Sequence, residues 1–215
     1  MIHSGSLDLG QLTGKFFRQK ARDNWVGKHP ENGMFYLSDD LAQDYMLASR
    51  NAANFAINNR FVMANMIANV LGTELQVIYD SPHNLVWETS DGYLYRKGSC
   101  PAADNEPVII PGSMGTKSSL CVGKGFSGTK SSSPHGAGRV MKRNAARNED
   151  IKDIDVVTKI SLDNARGDVK KEVMKNLAEE APRSYKDLGE VISSVESNGI
   201  ADLVCWLSPI MTMKG

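Results

Sequence analysis

Ser38-Asp39-Asp40-Leu41 begins the longest regular pattern in this chain. Behind it Tyr45, Ala48, Ala52, Phe55, Asn59, Val62, Met66 and Val70 recur every three or four residues until Gly72. That period is one face of a helix. Ser38 suits an N-cap, Asp39 and Asp40 favour the positive end of the helix dipole, and Gly72 suits a left-handed stop. The methionines on this helix are expected to be core. After Gly72 the pattern shortens. Leu75–Tyr79, Leu85–Glu88 and Tyr93–Arg96 read as strands, with Ser90-Asp91-Gly92 turning between the last two. Val108–Ile110 and Ser119–Val122 read as strands around a Pro-Gly-Ser-Met loop. Helical patterns follow around Asp168–Ala178 and Tyr185–Val195, the second with Ser184 as N-cap, before a closing strand at Leu203–Leu207. The expected class is α+β, with mixed or antiparallel sheets and flanking helices.

The chemistry concentrates in Ser133-Pro134-His135-Gly136-Ala137-Gly138-Arg139-Val140-Met141-Lys142-Arg143. It sets one histidine in a glycine-rich turn, with arginines four and eight residues later. A neutral imidazole nitrogen is a nucleophile toward phosphorus. Small residues at 136 and 138 let backbone N–H groups approach an anion. Between Pro107 and Asn148 there is no Asp or Glu, while Lys117, Lys124, Lys130, Arg139, Lys142, Arg143 and Arg147 contribute seven positive charges. The net charge of zero argues against a generic polyanion binder, yet this segment carries a local field suited to phosphate. The Gly123–Ser133 segment, rich in Gly, Ser and Lys, reads as a mobile loop beside the site rather than a linker.

Pro111-Gly112-Ser113-Met114-Gly115-Thr116-Lys117-Ser118 precedes that turn. His3-Ser4-Gly5-Ser6, Pro82-His83-Asn84, Tyr185-Lys186-Asp187 and the closing Lys214-Gly215 complete an ordered set. The set resembles the tRNA-splicing ligase RtcB family over residues 1–215, and it matches only the C-terminal half of members about twice as long. The Asp/Cys metal motif and the Asn-His-Phe-Ile-Glu type motif of the family's N-terminal half do not occur in this sequence.

The resemblance implies a single partial domain, 1–215, with the C-terminal half of an RtcB-like fold. It implies a GTP- and manganese-dependent ligase joining RNA 3′-phosphate (or 2′,3′-cyclic phosphate) to 5′-hydroxyl ends. His135 would be the nucleophile that becomes guanylylated. Asn84, Pro111, Gly112, Ser113, Met114, Ser118, Gly136, Ala137, Gly138, Tyr185 and Lys214 would hold the nucleotide, with Tyr185 packed on guanine and Lys214 reading the base. His3 and His83 would ligate Mn2+, and Arg139 and Arg143 would contact RNA. Leu7 and Lys142 depart from the family pattern, which has arginine and serine there.

The implied partners are RNA, a separately encoded N-terminal half and an archease-like activator. The ending Lys-Gly implies a native C-terminus. The alternative is a truncated, non-catalytic remnant that binds nucleotide or RNA. Cys100, Cys121 and Cys205 are an odd number with no Cys-x-x-Cys spacing, which fits a reducing compartment. None of them matches a ligand position, and His29 reads as surface. With no apolar leader and no long apolar run, cytoplasm is the expected location and membrane the excluded one.

Overall fold

The computed structural model describes residues 1–148, 175–210 and 212. It comprises helices and antiparallel sheets, the α+β class expected, in two compact units, Met1–Tyr95 and Arg96–Gly215.

In the first unit, α1 (Leu7–Asp23) packs on α2 (Asp39–Leu71). The 33-residue α2 matches the predicted helix. Ser38 has the extended backbone of an N-cap, although its side chain makes no capping bond, and Gly72 ends the helix at φ 62°. α1 was not predicted. Its Phe17 packs edge-on against Tyr45 of α2, with ring centroids 5.3 Å apart. The hairpin β1 (Val86–Thr89) and β2 (Gly92–Tyr95) pairs Val86 with Tyr95 and Thr89 with Gly92, around the predicted turn.

The predicted apolar face of α2 is only partly covered. Of the predicted residues Ala52 is buried, while Phe55, Val62, Met66 and Val70 are exposed; the other buried residues of the helix, Met46 and Ala68, stand outside that stripe. The expectation that the methionines are core therefore holds for Met46 and fails for Met66, which is 62% exposed. Leu75–Tyr79 forms no strand. An extended run becomes a strand only where its N–H and C=O groups join a ladder with a neighbouring strand, and this run belongs to none of the described sheets.

The second unit is built on a three-stranded antiparallel sheet ordered β4 (Pro107–Ile110), β5 (Ser118–Gly123), β7 (Ala201–Leu207). A bulge between Leu120 and Cys121 shifts the β5–β7 register. A second pair joins β3 (Ser99–Pro101) to β6 (Ser132–Pro134), neither of them predicted. A short helix, α3 (Arg143–Ala146), follows. The predicted Asp168–Ala178 helix lies mostly outside the described residues, and 175–179 are helical. The last helix, α4 (Leu188–Ser197), starts later than predicted. Its N-cap is Asp187, whose carboxylate accepts from the Glu190 N–H, while Ser184 sits buried in a preceding 3-10 turn.

Val108, Ile110 and Cys121 from the sheet meet Leu188, Ile192 and Val195 from α4 in one core. Ile110 and Ile192, 0% and 2% exposed, each contribute about 1.5–3 kcal/mol by burial. Ile110 immediately precedes the Pro111 loop, so the core fixes where that loop begins. No described helix is long and apolar enough to cross a membrane.

Candidate functional site

Three loops of the second unit carry most of the predicted site residues, and backbone hydrogen bonds join them. The first runs from β4 to β5. Its Ser113–Thr116 turn is closed by Ser113 N–H to Thr116 Oγ1 at 2.8 Å and by Thr116 N–H to the Ser113 carbonyl at 3.1 Å. Ser118 Oγ accepts from the Gly112 N–H at 3.3 Å, so this predicted residue shapes the loop as well. Met114 is buried, and its N–H reaches the Glu180 carbonyl at 3.3 Å.

The second loop leaves β6 at Pro134 and carries His135. The His135 N–H donates to the Gly98 carbonyl at 3.4 Å. The ring lies close over Gly98, where a Cβ would stand 3.9 Å from Cδ2 and Nε2. Ala137 is buried, and its N–H donates to the Pro111 carbonyl at 3.1 Å, tying this loop to the first. Gly138 has φ 75°, the left-handed region that glycine enters without penalty.

The third loop holds Tyr185. Lys186 N–H donates to the Gly138 carbonyl at 3.0 Å, and Val140 N–H to the Ser184 carbonyl at 2.9 Å. Ser113, Thr116, Lys117, Tyr185, Lys186 and Trp206 border a cavity of about 500 Å³ beside these loops. Ser113 and Tyr185 are among the residues that the resemblance assigns to the nucleotide. Lys117 was counted among the basic charges suited to phosphate; Thr116, Lys186 and Trp206 were not singled out, although the first two lie inside the quoted motifs. Lys214 lies outside the described residues.

Tyr185 is held by charge on both sides. Its hydroxyl donates to Glu180 Oε2 and accepts from Arg139 Nη1 at 2.8 Å, and the guanidinium carbon lies 4.8 Å from the ring centroid. Arg139 also donates from Nε to the Met141 carbonyl at 3.1 Å and from Nη2 to the Glu179 carbonyl at 2.6 Å. The guanidinium named for RNA is thus committed to internal partners and braces the Tyr185 loop. Arg143, at the start of α3, is exposed.

Burial, and then the hydrogen bond to Glu180, push the Tyr185 phenol from its ordinary value of 10 up to about 12. The folded chain therefore holds that proton more tightly than the unfolded chain does. The resulting stability is complete below pH 10 and is lost as pH rises through 12. Alkaline denaturation should show this loss in the wild type, with a shallower slope for Tyr185→Phe; equal slopes would contradict it.

The basic segment is less free than its sequence suggests. Lys124 pairs with Asp202 at 3.1 Å, Arg147 pairs with Glu179, and Arg139 lies 3.9 Å from Glu180. Lys117, Lys130, Lys142 and Arg143 make no ion pair among the described residues and stay exposed. Of the cysteines, Cys100 and Cys121 are buried and Cys205 is exposed, and burial raises the Cys121 thiol. His29 is exposed, as expected, and meets the Phe35 ring edge-on at 5.2 Å.

In the first unit His3 and His83, 80 residues apart in sequence, bring their Nε2 atoms within 3.2 Å. The rings meet edge-on with centroids 5.0 Å apart. Two convergent imidazole nitrogens are the donor type that divalent transition metals accept, so the pair fits a metal. Asn84 follows with φ 59°, a conformation asparagine tolerates better than most residues.

Residues 1–215 match the family described as tRNA-splicing ligase RtcB. A tRNA-splicing ligase RtcB of Nanoarchaeum equitans is 31% identical over 250 aligned residues, covering 100% of this chain and 52% of that protein. The RNA-splicing ligases RtcB of Mycobacterium bovis and Mycobacterium tuberculosis are each 34% identical over 247 residues, covering 100% of this chain and 56% of theirs. The chain spans about half the length of these curated relatives. With its whole length matched and its motif loops joined around His135, it belongs to the RtcB family.

Proposed function

We propose that this chain is the C-terminal part of a GTP- and manganese-dependent RNA ligase, with His135 as its nucleophile. The observation that carries the reading is the set of backbone bonds joining the Pro111–Ser118, His135 and Tyr185 loops beside one cavity. A ring nitrogen of His135 attacks the α-phosphorus of GTP. An N–P bond forms, the bond to the bridging oxygen breaks, and pyrophosphate leaves. An oxygen of the RNA 3′-phosphate then attacks that phosphorus, the N–P bond breaks, and the histidine is restored. The 5′-hydroxyl of the second RNA end attacks the activated 3′-phosphate, its proton passes to solvent, and GMP departs as the phosphodiester forms. Ser113, Gly136 and Gly138 hold the nucleotide, Tyr185 packs on guanine, and Arg143 contacts RNA. His3 and His83 would help to hold manganese, which when bound would supply positive charge for the phosphates. The cell compartment that fits this role is the cytoplasm, and an archease-like activator is an optional partner.

The partner that completes the site is a polypeptide equivalent to the rest of the relatives. Its support is the exposed apolar surface of the first unit. Leu7, Leu12 and Phe16 on α1, and Phe55, Phe61, Val62 and Met66 on α2, face solvent. Apolar surface on this scale drives association. The chain alone should therefore self-associate, and adding that polypeptide should yield a one-to-one complex that ligates RNA with 3′-phosphate and 5′-hydroxyl ends. Light scattering on the eluting species, with a ligation assay of the mixture, tests both. A stable monomer indifferent to the added polypeptide would overturn the partner reading.

A second reading has its own observations. Arg139 is occupied by internal partners, and Leu7, where the family has arginine, is 81% exposed. Both suit a remnant that binds nucleotide or RNA without joining ends. Nucleotide binding with no covalent adduct in the completed complex would favour it.

A further inference from the structure

His3 and His83 lie on separate irregular segments, and neither segment belongs to a helix or strand. Side chains on such segments keep a 3.2 Å approach only if something fixes the backbone behind them. Two consecutive residues of α2 reach both segments. Arg60 donates from Nε and Nη2 to the two carboxylate oxygens of Asp80 at 2.5 and 2.6 Å, and from Nη1 to the Ser4 carbonyl at 2.9 Å. Asn59 donates from Nδ2 to Ser4 Oγ at 3.0 Å and to the Gly5 carbonyl at 3.2 Å. Ser4 adjoins His3, and Asp80 lies on the short run leading to His83.

We propose that Asn59 and Arg60 are positioning residues, a clamp on α2 that holds the His3 and His83 segments together so that both imidazoles can face one divalent ion. The proposal rests on the reading of those histidines as metal ligands. Its force comes from the arginine fork. The planar guanidinium takes the Asp80 carboxylate on one edge and keeps a third N–H for the Ser4 carbonyl, so one side chain spans two segments. Lysine, with a single nitrogen, holds one partner well and not both. The Arg60 and Asp80 side chains are 16% and 33% exposed, so water competes little for the fork. The rigid element beneath is a helix of 33 residues, whose own hydrogen bonds do not depend on the clamp.

The test titrates the untagged full chain with Ni2+, which imidazole binds well, by calorimetry, with circular dichroism and thermal melting alongside. Wild-type uptake should weaken in His3→Ala and in His83→Ala. Arg60→Ala should weaken it about 10- to 100-fold, the range seen when a ligand's support is removed. Arg60→Lys should fall between, with helicity unchanged. Arg60→Ala leaves Asp80 without its partner and can unfold the segment. Arg60→Lys and Asn59→Ala, which leave no buried charge unpaired, keep the proposal testable in that case. Histidine-dependent uptake that is indifferent to folded Arg60→Lys and Asn59→Ala overturns the clamp and leaves the metal reading standing. Uptake indifferent to His3 and His83 overturns the metal reading and the clamp with it.

Discussion

Given α-labelled GTP, manganese and the polypeptide proposed to complete the site, the wild-type chain should acquire a GMP adduct and His135→Ala should acquire none. The adduct should be labile in acid and stable in alkali, as a phosphorus–nitrogen bond to imidazole is. The substitution leaves the backbone anchors of the loop in place. His135 is fastened by its backbone N–H to Gly98, and the neighbouring anchor is the Ala137 N–H to Pro111. Both bonds survive in the alanine variant, so its melting temperature should stay near the wild-type value while labelling disappears. Its sequence neighbours Pro134 and Gly136 carry no nucleophilic group. Label persisting in a folded His135→Ala protein would move the nucleophile to another residue.

The long helix was legible from its period and both ends, because a 3.6-residue stripe, acidic first-turn residues and a left-handed glycine are all local signals. Which residues of the stripe are covered was not legible. Periodicity identifies a face and says nothing about the element that packs on it, so Ala52 and Met66 share the stripe and differ in burial. The first helix contains Gly10 and Gly14, poor helix formers, and it packs on α2, a contact that no local signal announces. Strands β3 and β6 each contain a proline, Pro101 and Pro134, a residue that argues against a strand unless it sits at an edge. Ser184 and Asp187 both suit an N-cap, and only the tertiary burial of Ser184 separates them.

The site divides in the same way. Its glycines, histidines and Tyr185 were visible as motifs. Trp206 was not, because a residue that borders a cavity from a distant strand leaves no local mark. Arg139 and Arg143 were equivalent in sequence as phosphate ligands. Arg139 turned out to have Tyr185, Glu179 and Met141 as its partners, because the third loop folds back on the second.

Alanine in place of Gly112 should disrupt the nucleotide loop, whereas alanine in place of Gly136 should leave the fold intact and impair only phosphate chemistry. A Cβ at Gly112 would stand 2.2 Å from the Lys117 carbonyl oxygen and 2.4 Å from Thr116 Oγ1. The loop cannot retreat easily, since Ile110 before it and Met114 after it are buried at 0% and 6% exposure. Relief of the clash costs about 1–3 kcal/mol and displaces Thr116, which closes the Ser113 turn. Gly112→Ala should therefore lower both melting temperature and nucleotide affinity. At Gly136 the nearest atom to a Cβ is the Pro111 carbonyl oxygen at 3.6 Å, an ordinary contact. The fold alone thus has room for alanine there. If the backbone at 136 must approach phosphate, Gly136→Ala should melt like the wild type and guanylylate poorly. Gly138 is intermediate, because its φ of 75° adds about 1–2 kcal/mol of strain for alanine whatever the space. Thermal melts and adduct formation, measured on the three variants in parallel, separate strain from lost access. Normal guanylylation in Gly136→Ala would mean that the phosphates are held by side chains and metal rather than by the backbone of this turn.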